Sequence, residues 1–322
     1  MIFEKINSNH IEEMADITLG EYEEECSKVL ELPNKDYKDL FCGMLSDMVT
    51  NNLGVVALDK HKVVGFMTGY GPISDFFGNV KGTFCPIHGH GAIEENRAYI
   101  YSMLYQEVAK IWVEQEIFNH AIAIYAHNEI AIKTFFQNGF GMRCVDAITS
   151  INNDKIIYKS IPNVKIEEIG INKIDLLIDL KNELALHMNK SPIFHPAQIS
   201  DIKKFKEQSV SRKSRFFTAN IQDKIIGYLE IKPSGETFVD DDTETMHICG
   251  AYIYPEYRGT GIYNNLIAFM IEKLKKEKFK RCGVDFESIN PNANKFWLKY
   301  FTPYTYSLVR RIDERSNLNS IG

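Results

Sequence analysis

The sequence predicts an α/β protein of two tandem domains built to one plan, and three observations carry this. The chain has 322 residues, more than the roughly 100–200 of an ordinary domain. Strand-like and helix-like patterns alternate along it rather than segregating. The same order of elements also occurs twice, with a repeat of about 160 residues. With 44% apolar residues each half can fill a core, so disorder is excluded as the main state.

The first half opens on Ile2-Phe3-Glu4-Lys5-Ile6 and the second on Val164-Lys165-Ile166-Glu167-Glu168-Ile169, apolar and charged residues alternating as in a half-buried strand. Two helical stretches follow each opening, over residues 11–30 and 37–50, then 171–189 and 199–209. A hairpin comes next. Gly54-Val55-Val56-Ala57-Leu58 and Lys62-Val63-Val64-Gly65-Phe66-Met67 flank Asp59-Lys60-His61; Phe216-Phe217-Thr218-Ala219-Asn220 and Ile225-Ile226-Gly227-Tyr228-Leu229-Glu230 flank Gln222-Asp223-Lys224. Between the halves, Ser160-Ile161-Pro162-Asn163-Val164 has a proline that removes a donor and biases its neighbour away from helix. The domains are therefore read as 1–160 and 164–322.

Composition excludes several classes of function. Lys and Arg number 37 against 43 Asp and Glu, a net charge of −6, so no overall basic field draws the chain to nucleic acid or an anionic membrane. Residues 1–160 hold 13 basic and 22 acidic residues, the remainder 24 and 21. No apolar run approaches the roughly 18 residues of a membrane span, and no export signal opens the sequence. Six scattered cysteines without a CxxC pair are neither a disulfide framework nor a zinc knuckle. A cytoplasmic location with reduced thiols is expected, with no metal.

The chemistry concentrates in the second half. His247-Ile248-Cys249-Gly250-Ala251-Tyr252-Ile253-Tyr254 reads as a strand running into Pro255-Glu256-Tyr257-Arg258-Gly259-Thr260-Gly261-Ile262-Tyr263, and a helix follows to about Lys280. Glycines at such a junction let several N–H groups converge at the positive end of a helix, which suits a phosphate. No Lys-Ser/Thr follows them and GxGxxG is incomplete, so neither a P-loop nor a dinucleotide fold is indicated. Downstream lie the strand Cys282-Gly283-Val284-Asp285-Phe286 and the segment from Asn290 to Phe301. The first half repeats this order with Arg97-Ala98-Tyr99, a helix through Gln115, the strand His120-Ala121-Ile122-Ala123-Ile124-Tyr125, and Asn128 to Phe140. Arg97 precedes Asn128 by 31 positions and Arg258 precedes Asn290 by 32, but the first copy lacks the glycines.

Glu256-Tyr257-Arg258-Gly259-Thr260-Gly261 resembles the acetyl-CoA loop of the GNAT superfamily of N-acyltransferases, Q/R-x-x-G-x-G/A, with Glu in the first place. That family also has an Asn, an Ala three later and a Tyr seven later, ending in Gly-Phe. Asn290, Ala293 and Trp297 occupy these places in the second half, and Asn128, Ala131, Phe135, Gly139 and Phe140 in the first. The resemblance implies two GNAT-like domains, each a mixed, mostly antiparallel sheet flanked by helices, the first degenerate. It implies acetyl-CoA as co-substrate, held by Tyr252, Ile253, Arg258, Gly259, Thr260, Gly261, Ile262 and Asn290, and a small amine or peptide amine as acceptor.

Both copies lack the tyrosine that usually protonates the departing thiolate, so Tyr300, Tyr304 and Tyr306 are candidates to replace it. Glu244 and His247 are the candidate general bases, a His because it titrates near neutrality and a Glu because burial can tune it upward; Glu230 is a further carboxylate for the amine. Each has a structural alternative: core packing for Tyr252 and the tyrosines, helix capping for Asn290, plain hydrogen bonding for Glu244 and His247. His88 and His90 lack further ligands at metal-binding spacing. Glu21-Tyr22-Glu23-Glu24-Glu25 reads as a solvated helix face and Asp240-Asp241-Asp242 as a polar loop. Beside the acetyltransferase stand two other readings, a catalytically silent CoA-binding or ligand-sensing protein and a structural partner subunit.

Overall fold

A computed structural model describes residues 1–316. In chain order the strands and helices are β1 (Ile2–Lys5), α1 (Ile11–Cys26), α2 (Lys38–Val49), β2 (Val55–Asp59), β3 (Lys62–Met67), β4 (Tyr70–Ile73), β5 (Lys81–Cys85), β6 (His90–Ala92), α3 (Arg97–Glu114), β7 (Ile117–Tyr125), α4 (Glu129–Gln137) and β8 (Gly141–Ser150). They continue with β9 (Lys165–Ile169), α5 (Ile178–Asn189), α6 (Ile202–Ser211), β10 (Arg215–Ile221), β11 (Lys224–Lys232), β12 (Thr245–Ile253), α7 (Ile262–Lys276), β13 (Arg281–Glu287), α8 (Pro291–Trp297) and β14 (Thr302–Arg311).

The chain divides into two units, and not simply end to end. Unit 1 is Met1–Val145 together with the chain from Tyr304 onward; unit 2 is Asp146–Pro303. The Ser160-to-Val164 segment lies inside unit 2. In unit 1, β1-β2-β3-β6 form an antiparallel array, and β4-β5-β7-β14 run together as a mixed one in which β5 and β7 are parallel. The last strand among the described residues therefore completes the first unit: Thr305 through Arg311 pair antiparallel with Tyr125 through Asn119. Leu308 is fully buried in a core with Ile122, Ile124, Leu104 and Phe135. In unit 2 the order is β9-β10-β11-β12-β13, followed by the end of β8. Its core packs Leu177, Leu180 and Phe205 on Phe216, Tyr228 and Tyr252.

The repeat is visible in backbone detail. Both hairpin turns place two successive non-glycine residues at positive φ, Lys60 and His61 in one, Gln222 and Asp223 in the other, as the tight turn matching strand twist requires. Both hairpins also break register at the same place, just after the pairs Ala57↔Gly65 and Ala219↔Gly227. Such a bulge bends the strand and strengthens its twist.

Candidate functional site

Strands β12 and β13 pair in parallel only from Thr245↔Arg281 to Ile248↔Val284. Beyond that point β12 stays with β11 as far as Ile253↔Gly227, and a register shift there leaves Cys249 as an extra residue between Ile248 and Gly250. The bulge turns β12 away from β13, and a cleft opens whose strand edges keep backbone groups for a ligand. A cavity of about 530 Å³ begins here, walled by Tyr252 and Ile253, the loop residues Arg258, Gly259 and Gly261, and α8 with its flanks from Asn290 to Tyr300.

The loop is built for an anion. Gly259 and Gly261 have φ of 77° and 86°, which side chains rarely adopt. A Cβ on Gly259 would meet no atom within 4 Å, so the backbone faces open space. Gly261 is the N-cap of α7 and supplies no side-chain cap, and no acidic residue stands in the helix's first turn. The first amides of a 15-residue helix, with its positive dipole end, are thus left for an outside acceptor. Arg258 holds the loop to the strand, its Nε donating to the Ile253 carbonyl at 3.3 Å. The Thr260 hydroxyl turns inward to the Tyr257 carbonyl at 2.7 Å, and Thr260 lines the far side of the loop. Ile262, the first helical residue, is buried.

Across the cavity, Asn290 caps α8, its Oδ1 accepting the Ala293 N–H at 3.2 Å; its Nδ2 has no partner among the described residues. Trp297 is buried in the aromatic stack of Tyr263, Phe296 and Phe301. Tyr300 lines the cavity, and Nδ2 of Asn264 on α7 donates to its hydroxyl at 2.5 Å, fixing the phenol while leaving its proton to give. Tyr263, also in the wall, has a buried hydroxyl with no partner among the described residues. An orphaned polar atom beside a glycine cradle is what a CoA thioester threaded between the strands would complete. The residues present therefore fit that co-substrate, which supplies the activated acyl group when bound.

Of the residues singled out in the sequence, Tyr252, Ile253, Arg258, Gly259, Gly261, Asn290 and Tyr300 come together at this cavity. Glu244 and His247 do not line it. Glu244 precedes β12 at the end remote from the loop, about 30 Å along a nine-residue strand, and pairs with Lys280 at 2.7 Å. His247 is buried between two carboxylates, Nδ1 at 3.1 Å from Asp240 and Nε2 at 2.7 Å from Asp285. Burial opposes its charge, but Asp240 and Asp285 outweigh it and raise the pKa to about 10. An imidazolium held between two carboxylates, with Nε2 donating to Asp285, is an anchor, not a base. Asp240 is wholly buried and Asp242 nearly so, contrary to the polar loop expected of the Asp240-Asp241-Asp242 run. Gly235 and Gly283 make room for Asp240: a Cβ on either would fall 2.3 Å from its carboxylate. Glu230, on β11, is buried against Ser214 at 2.8 Å and Lys181 at 3.4 Å. Tyr304 and Tyr306 lie on β14, in unit 1. Tyr263 and Asn264 escaped the sequence reading because only their hydrogen bonding marks them.

Residues 182–301, which include the loop and both walls of the cavity, match the family described as Acetyltransferase (GNAT) family. The likeness to the GNAT acetyltransferase family covers this later stretch of the chain. GNAT proteins use acyl-CoA and act on amines. A GCN5-related N-acetyltransferase from Sphaerobacter thermophilus shares the fold with a TM-score of 0.59 at 9% identity, over 96% of this chain and 95% of that one. A GCN5-related glucosamine N-acetyltransferase region of a fungal multi-domain GH3 beta-N-acetylglucosaminidase is similar with a TM-score of 0.51 at 13% identity, covering 96% of this chain and 38% of that one. For a tandem GNAT protein from the clavulanic acid biosynthesis pathway the TM-score is 0.49 at 12% identity, over 96% and 98%. No curated protein matches the chain significantly. Among the described residues no helix is long and apolar enough to cross a membrane.

Unit 1 has a cleft of similar outline, but it is filled. Strand β5 pairs in parallel with β7 up to Cys85↔Ile122, and β6 then pairs only with β3. His90 spans the gap, Nε2 donating to the Ala123 carbonyl at 2.7 Å, with the Tyr101 and Phe135 rings beside it. Four residues (93–96) join β6 to α3, where eight (254–261) join β12 to α7. The glycine loop is thus absent rather than altered. Arg97 is the first residue of α3, buried, with its guanidinium bonded to both Glu24 oxygens at 2.6 and 2.7 Å.

Proposed function

We propose that unit 2 is an acetyl-CoA-dependent N-acetyltransferase acting on a small amine or a peptide amine. The observation that carries this is the parting of β12 from β13 over an uncapped helix turn with two glycines at positive φ. In this reading the amides at the start of α7 hold the pyrophosphate, the freed edges of the cleft align the pantetheine, and Asn290 Nδ2 donates to one of its carbonyls. An amine nitrogen entering from the open side attacks the thioester carbonyl, the C–S bond breaks, Tyr300 gives its proton to the departing sulfur, and the proton shed by the nitrogen returns through water to the phenolate. Position supplies most of the effect. Tyr300 is favoured because it stands in the same wall as Trp297, which fills the usual tyrosine's place.

The test combines binding and turnover. Acetyl-CoA is expected to raise the melting temperature of the chain and to release thiol with members of an amine panel. Gly261→Asp, which sets a carboxylate against the pyrophosphate, is expected to abolish the shift while the melting temperature without ligand changes little. Unchanged CoA binding in that variant counts against the site. Tight binding without thiol release from any amine would favour a CoA-sensing role, the reading that Trp297 on its own suggests.

A further inference from the structure

The two units repeat at a constant offset of 162 positions. It separates the hairpin bulges after Ala57↔Gly65 and Ala219↔Gly227, and the helix caps Asn128 and Asn290. By the same offset Tyr101 on α3 corresponds to Tyr263 on α7, and Phe135 on α4 to Trp297 on α8. The rings meet alike. Tyr101 stands edge-on to Phe135 with centroids 5.5 Å apart, and Tyr263 edge-on to Trp297 at 6.2 Å.

What differs is the partner of the hydroxyl. In unit 1 the Tyr101 hydroxyl lies 2.7 Å from Glu21 and 3.1 Å from Nδ1 of His90, so the filled cleft brings an oxygen of its own to the phenol. The residues 162 positions beyond these partners are Glu183 and Tyr252, and neither is bonded to Tyr263. The Tyr263 hydroxyl is buried and without a partner among the described residues, in the wall of the open cavity. A buried phenol that has given up its bond to water is costly to leave unmatched. Burial also holds its pKa well above the ordinary value, so it keeps its proton and faces the cavity as a donor. The matching acceptor comes from outside the chain.

We propose that Tyr263 is a catalytic residue whose hydroxyl donates to the acyl carbonyl oxygen of the thioester and holds the charge that gathers there. This rests on the reading of the cavity as the coenzyme's site. In that reading Asn290 serves the pantetheine and Tyr300 the sulfur, and the Tyr263 and Tyr300 rings flank Phe296 in one wall, with centroids 5.2 and 5.5 Å from it. Sulfur and carbonyl oxygen share one carbon, so their donors must stand near each other. As the amine lone pair forms the N–C bond, the carbonyl π pair moves onto oxygen, and the phenol's hydrogen bond strengthens with the growing charge. The pair returns to carbon as the C–S pair leaves on sulfur. In unit 1 a Glu21 carboxyl oxygen stands against Tyr101 where the acyl oxygen stands against Tyr263.

Titration calorimetry of the full chain with acetyl-CoA and with S-ethyl-CoA, which has two hydrogens in place of the carbonyl oxygen, decides it. The wild type is expected to bind acetyl-CoA about tenfold more tightly, as a hydrogen bond that satisfies a buried donor gives. Tyr263→Phe is expected to bind the two ligands alike and to melt no lower than the wild type without ligand, since the hydroxyl it removes has no protein partner. Tyr101→Phe, which breaks the contacts to Glu21 and His90, is expected to melt lower and to keep the wild-type preference. With any amine that turns over, Tyr263→Phe is expected to lower kcat about a hundredfold, and an unchanged kcat overturns the catalytic role. Equal wild-type affinities overturn the proposal, as does a Tyr263→Phe variant that keeps the preference or melts well below the wild type. Binding of neither ligand to the wild type removes the coenzyme reading of the cavity as well, a result distinct from binding without preference.

Discussion

Tyr101 has one proton and faces two acceptors. Its hydroxyl lies 2.7 Å from Glu21 and 3.1 Å from Nδ1 of His90. Burial lowers the His90 pKa to about 4, so the ring is neutral, and with Nε2–H given to Ala123 its Nδ1 can only accept. Glu21 is also fully buried, and burial raises its pKa to about 7 despite Tyr101 and Arg97. A protonated Glu21 satisfies all three groups. Because the folded pKa lies above the unfolded one, the folded state holds the extra proton between about pH 4.5 and 7, and stability falls as pH rises through that window. The effect is capped at about 3 kcal/mol. His247, raised to about 10, adds a second decline from its unfolded value near 6.5 up to 10. Thermal melts from pH 5 to 10 are expected to show both; Glu21→Gln should flatten the lower part and leave the upper. An unchanged slope below pH 6 in Glu21→Gln would refute the assignment.

At the scale of elements, the hairpins, the glycine loop and the Asn290 cap were legible because local chemistry fixes them. A turn needing positive φ, a strand that alternates and an N-cap acceptor three residues before its amide are written within a few residues of one another. Burial decided by remote partners was not. Glu21 and Glu25 read as solvent-facing, yet Tyr101 from α3 and His127 from the turn after β7 bury them. His247 read as a titratable base because its cage comes from Asp240 and Asp285. The length difference between the 93–96 and 254–261 connections was hidden because Arg97 and Arg258 align by spacing while one is helical and the other in a loop. The destination of β14 was also invisible, since the pattern of a strand does not name its neighbour. Every residue of β7 is buried, so a chain ending at residue 303 leaves β7 with an exposed apolar edge. Hydrogen exchange on that truncated chain is expected to lose protection at β7 while β11 and β12 keep theirs. Preserved protection at β7 would count against the assigned pairing.

For the whole molecule, the two units contribute differently. The cavity, the loop and every residue proposed to touch the coenzyme fall within Asp146–Pro303, whereas unit 1 fills the corresponding cleft with His90, Tyr101 and Phe135. We expect a fragment of residues 146–303 to fold and to bind CoA, and a fragment of residues 1–160, without β14, to melt with little cooperativity. A cooperative, stable 1–160 fragment would show that unit 1 is complete without the strand.

Translation delivers the strand that finishes unit 1 only after all of unit 2 has been made. At roughly 5–20 residues per second, the nascent amino-terminal half waits for many seconds beside the ribosome with β7 uncovered, while the later half can already close upon itself. The usual vectorial order is inverted, and chaperones that shield nascent hydrophobic edges have most to do for the part of this polypeptide that emerges first.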